Sequence, residues 1–154
     1  MTKTSIYFLL ILLCTLSVSC SKDDENPVVS VGDTFTLTID GNKTKLYLYE
    51  AEYRPLSDDF LVGLSDTPPD ADDSNIDIAA WGVSLLDNEP IGEDFRIYKD
   101  SQYSFSSGSV VISHIDMTSN TLTLAFDGVW EADGNKWVTV KGTVPLKYTT
   151  SSKK

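Results

Sequence analysis

The chain has 154 residues, a formal net charge of -11 and a pI near 4.3. Its length suits one domain with a short appendage, and 41% hydrophobic with 23% charged residues is ordinary for a folded globular protein. The acid excess argues against a nucleic-acid partner, which needs clustered Lys and Arg. Two cysteines and one histidine exclude most thiolate and imidazole metal sites.

The N-terminus has the organisation of a secretory signal. Lys3 precedes an unbroken apolar run from Ile6 to Leu13, which continues to Leu16 with only Thr15 polar. A membrane-spanning helix needs roughly 20 apolar residues. This shorter run therefore predicts a cleaved signal peptide, residues 1–19, and not a transmembrane span.

The residues that end this signal carry a more specific motif. The segment Leu16-Ser17-Val18-Ser19-Cys20 places small and aliphatic residues directly before a cysteine. It resembles the lipobox of bacterial lipoproteins, with Ser17 where Leu is commoner. The resemblance implies cleavage before Cys20, a diacylglyceryl group on its thiol and an acylated new N-terminus, which together anchor a protein stably in a membrane. The alternative is an ordinary secretory signal that leaves a free thiol.

A charged run follows the cysteine: Ser21, Lys22, Asp23, Asp24 and Glu25. The run resembles the surface-export signal of Bacteroidota lipoproteins. The resemblance implies an outer-membrane lipoprotein that faces the cell exterior, and retention on the periplasmic face is the alternative. The composition also suits a solvated tether. We expect residues 20–32 to form a lipidated N-terminus and flexible tether.

From Val31 onward the sequence predicts an all-β domain, because short alternating or β-branched runs are separated by turn residues. Strands are expected near 33–40, 44–53, 59–65, 76–86, 95–99, 102–106, 109–116, 120–131 and 135–148. Nine short strands favour an antiparallel β-sandwich, with a β-barrel as the alternative. We expect this domain to span residues 33–148 and residues 149–154 to be a disordered tail.

The first hairpin predicts a tyrosine face. A two-residue turn at Gly41-Asn42 would pair Leu37 with Leu46 and Phe35 with Leu48, so that apolar faces meet. Continued alternation would then place three tyrosines together on the opposite face: Tyr47, Tyr49 and Tyr53.

The second hairpin fixes the faces of two tryptophans. A two-residue turn at Asp133-Gly134 would mix apolar and polar faces. A three-residue loop at 132–134 avoids this, and a loop at 133–135 is the near alternative with the same faces. Either loop predicts Trp130 in the core and Trp137 outside. The Gly-punctuated strands of this C-terminal half also resemble small β domains common in Bacteroidota surface lipoproteins.

Exposed aromatic residues are the candidate ligand-binding groups. Aromatic rings offer a flat apolar face with little entropy to lose, which suits stacking on sugar rings. The candidates are Tyr47, Tyr49, Tyr53 and Trp137. The alternative is that these rings only pack against or cover the sheet.

An acidic loop is the candidate metal site. Between Arg54 and Arg96 the sequence has eleven acids and no base. Hard oxygen ligands at close spacing suit calcium, and the candidates are Asp70, Asp72, Asp73, Asn75 and Asp77, which follow Asp66. The glycine and distal glutamate of an EF-hand loop are absent. A solvated acidic loop without metal is the alternative, and apart from the lipid at Cys20 no cofactor is otherwise expected.

These features predict a lipid-anchored cell-surface module that binds or interacts without enzymatic activity. Its partners would be the membrane, through the anchor, and a glycan or another envelope protein. The alternatives are a glycan-binding accessory lipoprotein, a structural envelope protein, and a small hydrolase built on Glu50 and Glu52, which lie two apart on one strand. The sequence contains no Gly-x-Ser-x-Gly motif whose serine His114, the sole histidine, could activate. His114 is therefore expected to be a structural or surface residue.

Overall fold

The computed structural model describes residues 27–71 and 73–151. They form nine β-strands: β1 (Thr34–Ile39), β2 (Asn42–Arg54), β3 (Asp59–Ser65), β4 (Asp77–Val83), β5 (Phe95–Tyr98), β6 (Gln102–Asp116), β7 (Thr121–Ala132), β8 (Lys136–Lys147) and β9 (Thr149–Thr150). One 3-10 turn, Gly92–Asp94, precedes β5, and the described residues contain no α-helix. The predicted all-β class is confirmed. The expected signal peptide, Cys20 and the export signal lie outside the described residues.

The first eight strands close into an antiparallel barrel. The strand order is β1-β8-β7-β6-β5-β4-β3-β2, and β2 pairs back with β1, while β9 adds to β2 in parallel. The barrel was the stated alternative to the sandwich that the strand count favoured. Closure depends on β1, which pairs with both β2 and β8 and so leaves no second sheet to form.

One long strand replaces two predicted ones. The expected strands 102–106 and 109–116 are a single strand, β6, whose pairing with β7 shifts register near Ser106 and again near Ser113. Each shift adds a residue to β6 and bends it. These bends let a 15-residue strand follow the curve of the barrel.

The barrel interior is a packed apolar core. Large side chains from several strands are fully buried there, among them Phe60, Leu64, Phe95, Ile112 and Trp130. An eight-stranded barrel encloses just enough space for side chains to fill. The packed interior leaves the outer face and the ends of the barrel as places for a ligand site.

The first hairpin turns one residue earlier than predicted. Asp40 and Gly41 form the turn, both with positive φ (50° and 78°), and Phe35 pairs with Leu46 rather than Leu48. A type I′ turn requires positive φ at both central residues, which Asp-Gly supplies. The predicted register is wrong by two residues, but a shift of two keeps each side chain on its predicted face.

The second hairpin adopts the alternative loop. Ala132 pairs with Lys136 around residues 133–135, and Gly134 and Asn135 have positive φ. The preferred loop, 132–134, is thus displaced by one residue. Trp130 is fully buried, whereas Trp137 is 61% exposed. The predicted faces of both tryptophans are confirmed.

Both ends of the described chain lie at one end of the barrel. Val29 is buried and bridges to Leu146 near the end of β8, and β9 pairs with Glu52 and Tyr53. The predicted domain limits, 33 and 148, were therefore too narrow, and the expected disordered tail begins with a strand. We call this the terminal end; the turns at 55–58 and 117–120 also lie there.

The opposite end, which we call the loop end, carries four connections. They are the β1–β2 turn (40–41), the β3–β4 loop (66–71 and 73–76), the β5–β6 turn (99–101) and the β7–β8 loop (133–135). Strand alternation places these four connections together, because consecutive antiparallel strands reverse at alternate ends.

Candidate ligand-binding site

A bulge in β2 separates the three candidate tyrosines. Leu48 pairs with Leu64 and Glu50 pairs with Gly63, so Tyr49 is an extra residue in the strand. One extra residue reverses the alternation that follows it. Tyr47 lies on the outer side, whereas Tyr53 packs against the core. The prediction that the three tyrosines share one face is therefore wrong.

The side chain of Tyr53 contacts both the core and the β2–β3 turn. Its ring meets Tyr148 edge-on, with the ring centroids 6.4 Å apart. Its hydroxyl donates a 2.7 Å hydrogen bond to Asp58 Oδ1, which raises the pKa of Tyr53. These contacts give Tyr53 a packing role at the terminal end.

Tyr49 lies across Gly63 on the outer face. A Cβ atom at residue 63 would come within 2.3 Å of the Tyr49 ring, so only glycine lets the ring lie there. Burial raises the pKa of Tyr49 to about 12, and the nearby carboxylates of Asp77 and Glu50 add to the increase. The hydroxyl therefore stays protonated and is a hydrogen-bond donor near two carboxylates.

A hollow of about 270 Å³, which we call the tyrosine hollow, opens beside this ring. Its lining includes Tyr49, Ser65, Thr67, Pro68, Ser74 and Asp77. Ser74 Oγ donates a 2.5 Å hydrogen bond to Asp77 Oδ2, and the hydroxyls of Ser65 and Thr67 lie 3.2 Å apart. The fold thus brings one candidate aromatic residue together with one candidate calcium ligand.

The candidate calcium ligands that the structure describes include no cluster of three carboxylates. Asp66, at the base of the loop, accepts hydrogen bonds from the backbone N–H groups of Asn75 and Ile76. Asp70 and Asp73 are exposed, and Asp72 lies outside the described residues. Within residues 27–71 and 73–151, no three His, Cys, Asp or Glu side chains lie close enough to hold a metal. Calcium binding stays a prediction.

A larger open concavity, about 820 Å³, lies where β6 and β7 separate at the loop end. The last pair of these strands at that end is Ser104 with Glu131. We call this concavity the serine cleft; its polar lining includes Ser101, Gln102, Ser104, Ser106, Glu131 and Asn135. Sequence reasoning did not nominate these residues, although the serine density of 101–109 was a visible signal.

Phe105 also lines the serine cleft, and its ring packs toward the core. It packs against Trp130 edge-on with ring centroids 5.3 Å apart. A Cβ atom on Gly92 would come within 2.5 Å of the ring, and one on Gly128 within 3.0 Å. The Phe105 ring therefore packs closely against two glycines and an indole.

An ion pair links the chain neighbours of two residues that line the serine cleft, Ser101 and Asn135. Lys136 Nζ lies 2.5 Å from Asp100 Oδ2, and the Tyr103 hydroxyl donates a 2.6 Å hydrogen bond to Asp100 Oδ1. Lys136 and Tyr103 together lower the pKa of Asp100 to about 2. We call this group, which links the β5–β6 turn to the start of β8, the Asp100 latch.

Trp137 stands beside the serine cleft and away from the tyrosines. It pairs with Glu131 across the β7–β8 hairpin, so the two side chains are neighbours on the outer face. Ser104 lies on the other side of Glu131. The exposed indole of Trp137 therefore borders the cleft.

A third concavity, of about 250 Å³, lies between the β1–β2 turn and the β3–β4 loop. Lys99 and Asp40, which line it, form an ion pair of 3.2 Å. All three concavities open at the loop end.

The candidate hydrolase residues lie apart from these concavities. Glu50 and Glu52 share the outer face of β2, opposite Gly63 and Leu61, but the described lining of the three concavities includes neither. His114 is exposed beside a bulge in β6 and pairs with Thr123.

Among residues 27–71 and 73–151, no helix is both long enough and apolar enough to cross a membrane. No protein-family model, curated protein or solved structure matches this chain.

Proposed function

We propose that this protein is a lipid-anchored, cell-surface binding module without enzymatic activity, and that its loop end contacts the ligand. One observation carries the proposal: residues 27 and 151 lie at the terminal end, whereas the three concavities open at the loop end. A lipid on Cys20 would tether the barrel by its terminal end. The loop end would then point away from the membrane.

The anchor is tested by growing cells with labelled fatty acid. We expect label on the wild-type protein and none on the Cys20→Ala variant, because the thiol is the attachment atom. Unlabelled wild-type protein, or label that survives Cys20→Ala, contradicts lipid anchoring.

The orientation is tested with single cysteines in the lipidated protein, whose own Cys20 thiol would be blocked. Asp133→Cys reports the loop end, and Leu56→Cys, at a residue that is 88% exposed, reports the terminal end. In intact cells we expect a bulky, membrane-impermeant maleimide to label residue 133 faster than residue 56. Faster labelling of residue 56 contradicts the orientation, and labelling of neither before the outer membrane is permeabilised contradicts surface exposure.

Glycan binding is the second candidate function. Two of the concavities combine an aromatic ring with hydroxyl groups and a carboxylate, which are the groups that stack on sugar rings and hydrogen-bond to their hydroxyls. Binding of purified protein to a glycan array tests this candidate. We expect that binding to weaken when the aromatic residue of the concavity that holds the glycan is replaced.

A further inference from the structure

We propose that the serine cleft, with Trp137 at its rim, binds a short neutral saccharide. This inference rests on the proposed binding function and names its ligand class and site. It follows from the size, the chemistry and the rigidity of the cleft.

The serine cleft has the dimensions of a small-ligand site. Its volume of about 820 Å³ falls within the range of roughly 300–1,000 Å³ typical of ligand pockets. The tyrosine hollow is about a third as large, and its ring is half-buried against Gly63. A saccharide would find more contact area and a freer aromatic face at the serine cleft.

The lining chemistry selects a neutral, hydroxyl-rich ligand. The described lining contains serine hydroxyls, the amides of Gln102 and Asn135, and the carboxylates of Glu131 and Asp133, but no Lys or Arg. The nearest base along the chain, Lys136, is paired with Asp100. Anionic ligands would meet two carboxylates without a compensating cation, whereas sugar hydroxyls can donate to carboxylates and exchange hydrogen bonds with serines and amides.

Trp137 supplies the stacking surface. Its indole is 61% exposed beside Glu131, on a strand whose inward side chains, such as Val138, are buried. A saccharide bound in the cleft can extend over this indole while its hydroxyls reach Glu131 and Ser104. Stacking on an aromatic ring contributes about 0.5–1.5 kcal/mol beyond the area it buries.

The walls of the cleft are preorganised. The Asp100 latch ties the β5–β6 turn to β8, and two glycines and Trp130 hold Phe105 in place. A site whose walls are already ordered loses less entropy when a ligand binds. Open, rigid and polar surfaces of this kind suit a flexible chain of sugars.

The test uses calorimetric titration of the mature protein with four neutral probes: maltohexaose, cellohexaose, mannohexaose and xylohexaose. We expect at least one to bind, and hexagalacturonate to bind more weakly because of its carboxylates. Trp137→Ala should weaken binding about tenfold. Ser104→Leu, which fills the cleft and leaves the indole intact, should weaken it similarly.

Two matched controls locate the site. Trp81→Ala removes an indole that is 53% exposed on β4, outside the cleft lining, and should leave the affinity unchanged. Tyr49→Ala alters the competing candidate site, the tyrosine hollow, and should weaken binding less than Trp137→Ala does. Binding that is lost in Tyr49→Ala but survives Trp137→Ala overturns this inference while the binding function stands.

The remaining outcomes also bear on the inference. If none of the four neutral probes binds at millimolar concentration, or if hexagalacturonate binds as tightly as they do, the inference is wrong. Neither result affects the lipid anchor or the orientation of the barrel, which the fatty-acid and cysteine experiments test separately.

Discussion

The indole Nε1 of Trp130 donates a hydrogen bond of 3.1 Å to the backbone carbonyl of Phe95 inside the barrel. Trp130 lies on β7 and Phe95 on β5, and neither side chain has measurable exposure. This bond joins two strands that do not pair with each other, because β6 lies between them. It therefore stabilises the closed barrel across the core.

Trp130→Phe should destabilise the protein by about 2–3 kcal/mol, because it opens a cavity and removes the donor to the Phe95 carbonyl. Denaturation with guanidinium chloride measures the loss. Trp137→Phe is the matched control and should change the free energy of unfolding by no more than about 0.5 kcal/mol, since Trp137 is exposed. Equal losses in both variants would contradict the assigned faces.

Gly108→Ala should cost about 3 kcal/mol. Gly108 has a φ of +100°, and a Cβ atom there would lie 2.2 Å from the backbone oxygen of Asp127, so the two strands would have to separate. Gly134→Ala is the control: its φ is +82° but nothing lies within 4 Å, so only the conformational cost of about 1 kcal/mol applies. Thermal and chemical denaturation of the pair give the comparison.

The Asp100 latch predicts a pH dependence. The pKa of Asp100 is about 2 in the folded protein, below its ordinary value of 3.8, so its stabilising contribution is present above pH 4 and is lost as pH falls toward 2. We expect Asp100→Asn to lower the melting temperature at pH 7, and we expect the difference from the wild type to shrink as pH falls through 2. The pair is exposed, so salt should shrink the difference at pH 7.

Lys136→Gln removes the partner that contributes most to this pKa shift and should reduce the same pH dependence. A difference between the wild type and Asp100→Asn that is the same at pH 7 and at pH 2 would contradict the role of ionised Asp100.

A chain that ends at Tyr148 should be less stable by about 1–3 kcal/mol and more prone to aggregation. It loses β9, including the 2.7 Å hydrogen bond from the Ser151 N–H to the Tyr53 carbonyl. It also uncovers the edge of β2 at Glu52 and Tyr53, which can then pair with another chain. Denaturation and light scattering measure the two effects. A chain that ends at Ser151 keeps these contacts and is the control.

The strand alternation of the sequence determined the fold class and the side of the sheet for most strand residues. It placed Trp130 inside and Trp137 outside, and it kept the faces of β1 correct even though the first turn lies one residue earlier. These features are local, because side chains alternate with a period of two whatever the strand later pairs with. The turn residues similarly predicted the hairpins to within one residue.

Only the tertiary structure decided the barrel and the candidate sites. Closure requires β1 to pair with β8, as Thr38 does with Lys141 at a separation of about a hundred residues, and no local pattern encodes that choice between sandwich and barrel. The bulge at Tyr49, which separates Tyr53 from the other two tyrosines, appears only in the pairing of β2 with β3. The serine cleft likewise brings together Ser104 and Glu131, which are far apart in the chain and meet only because β6 pairs with β7. Long-range pairing sets these positions. The sequence alone therefore determined the face of most strand residues, while bulges and closure of the barrel decided the rest and which residues meet.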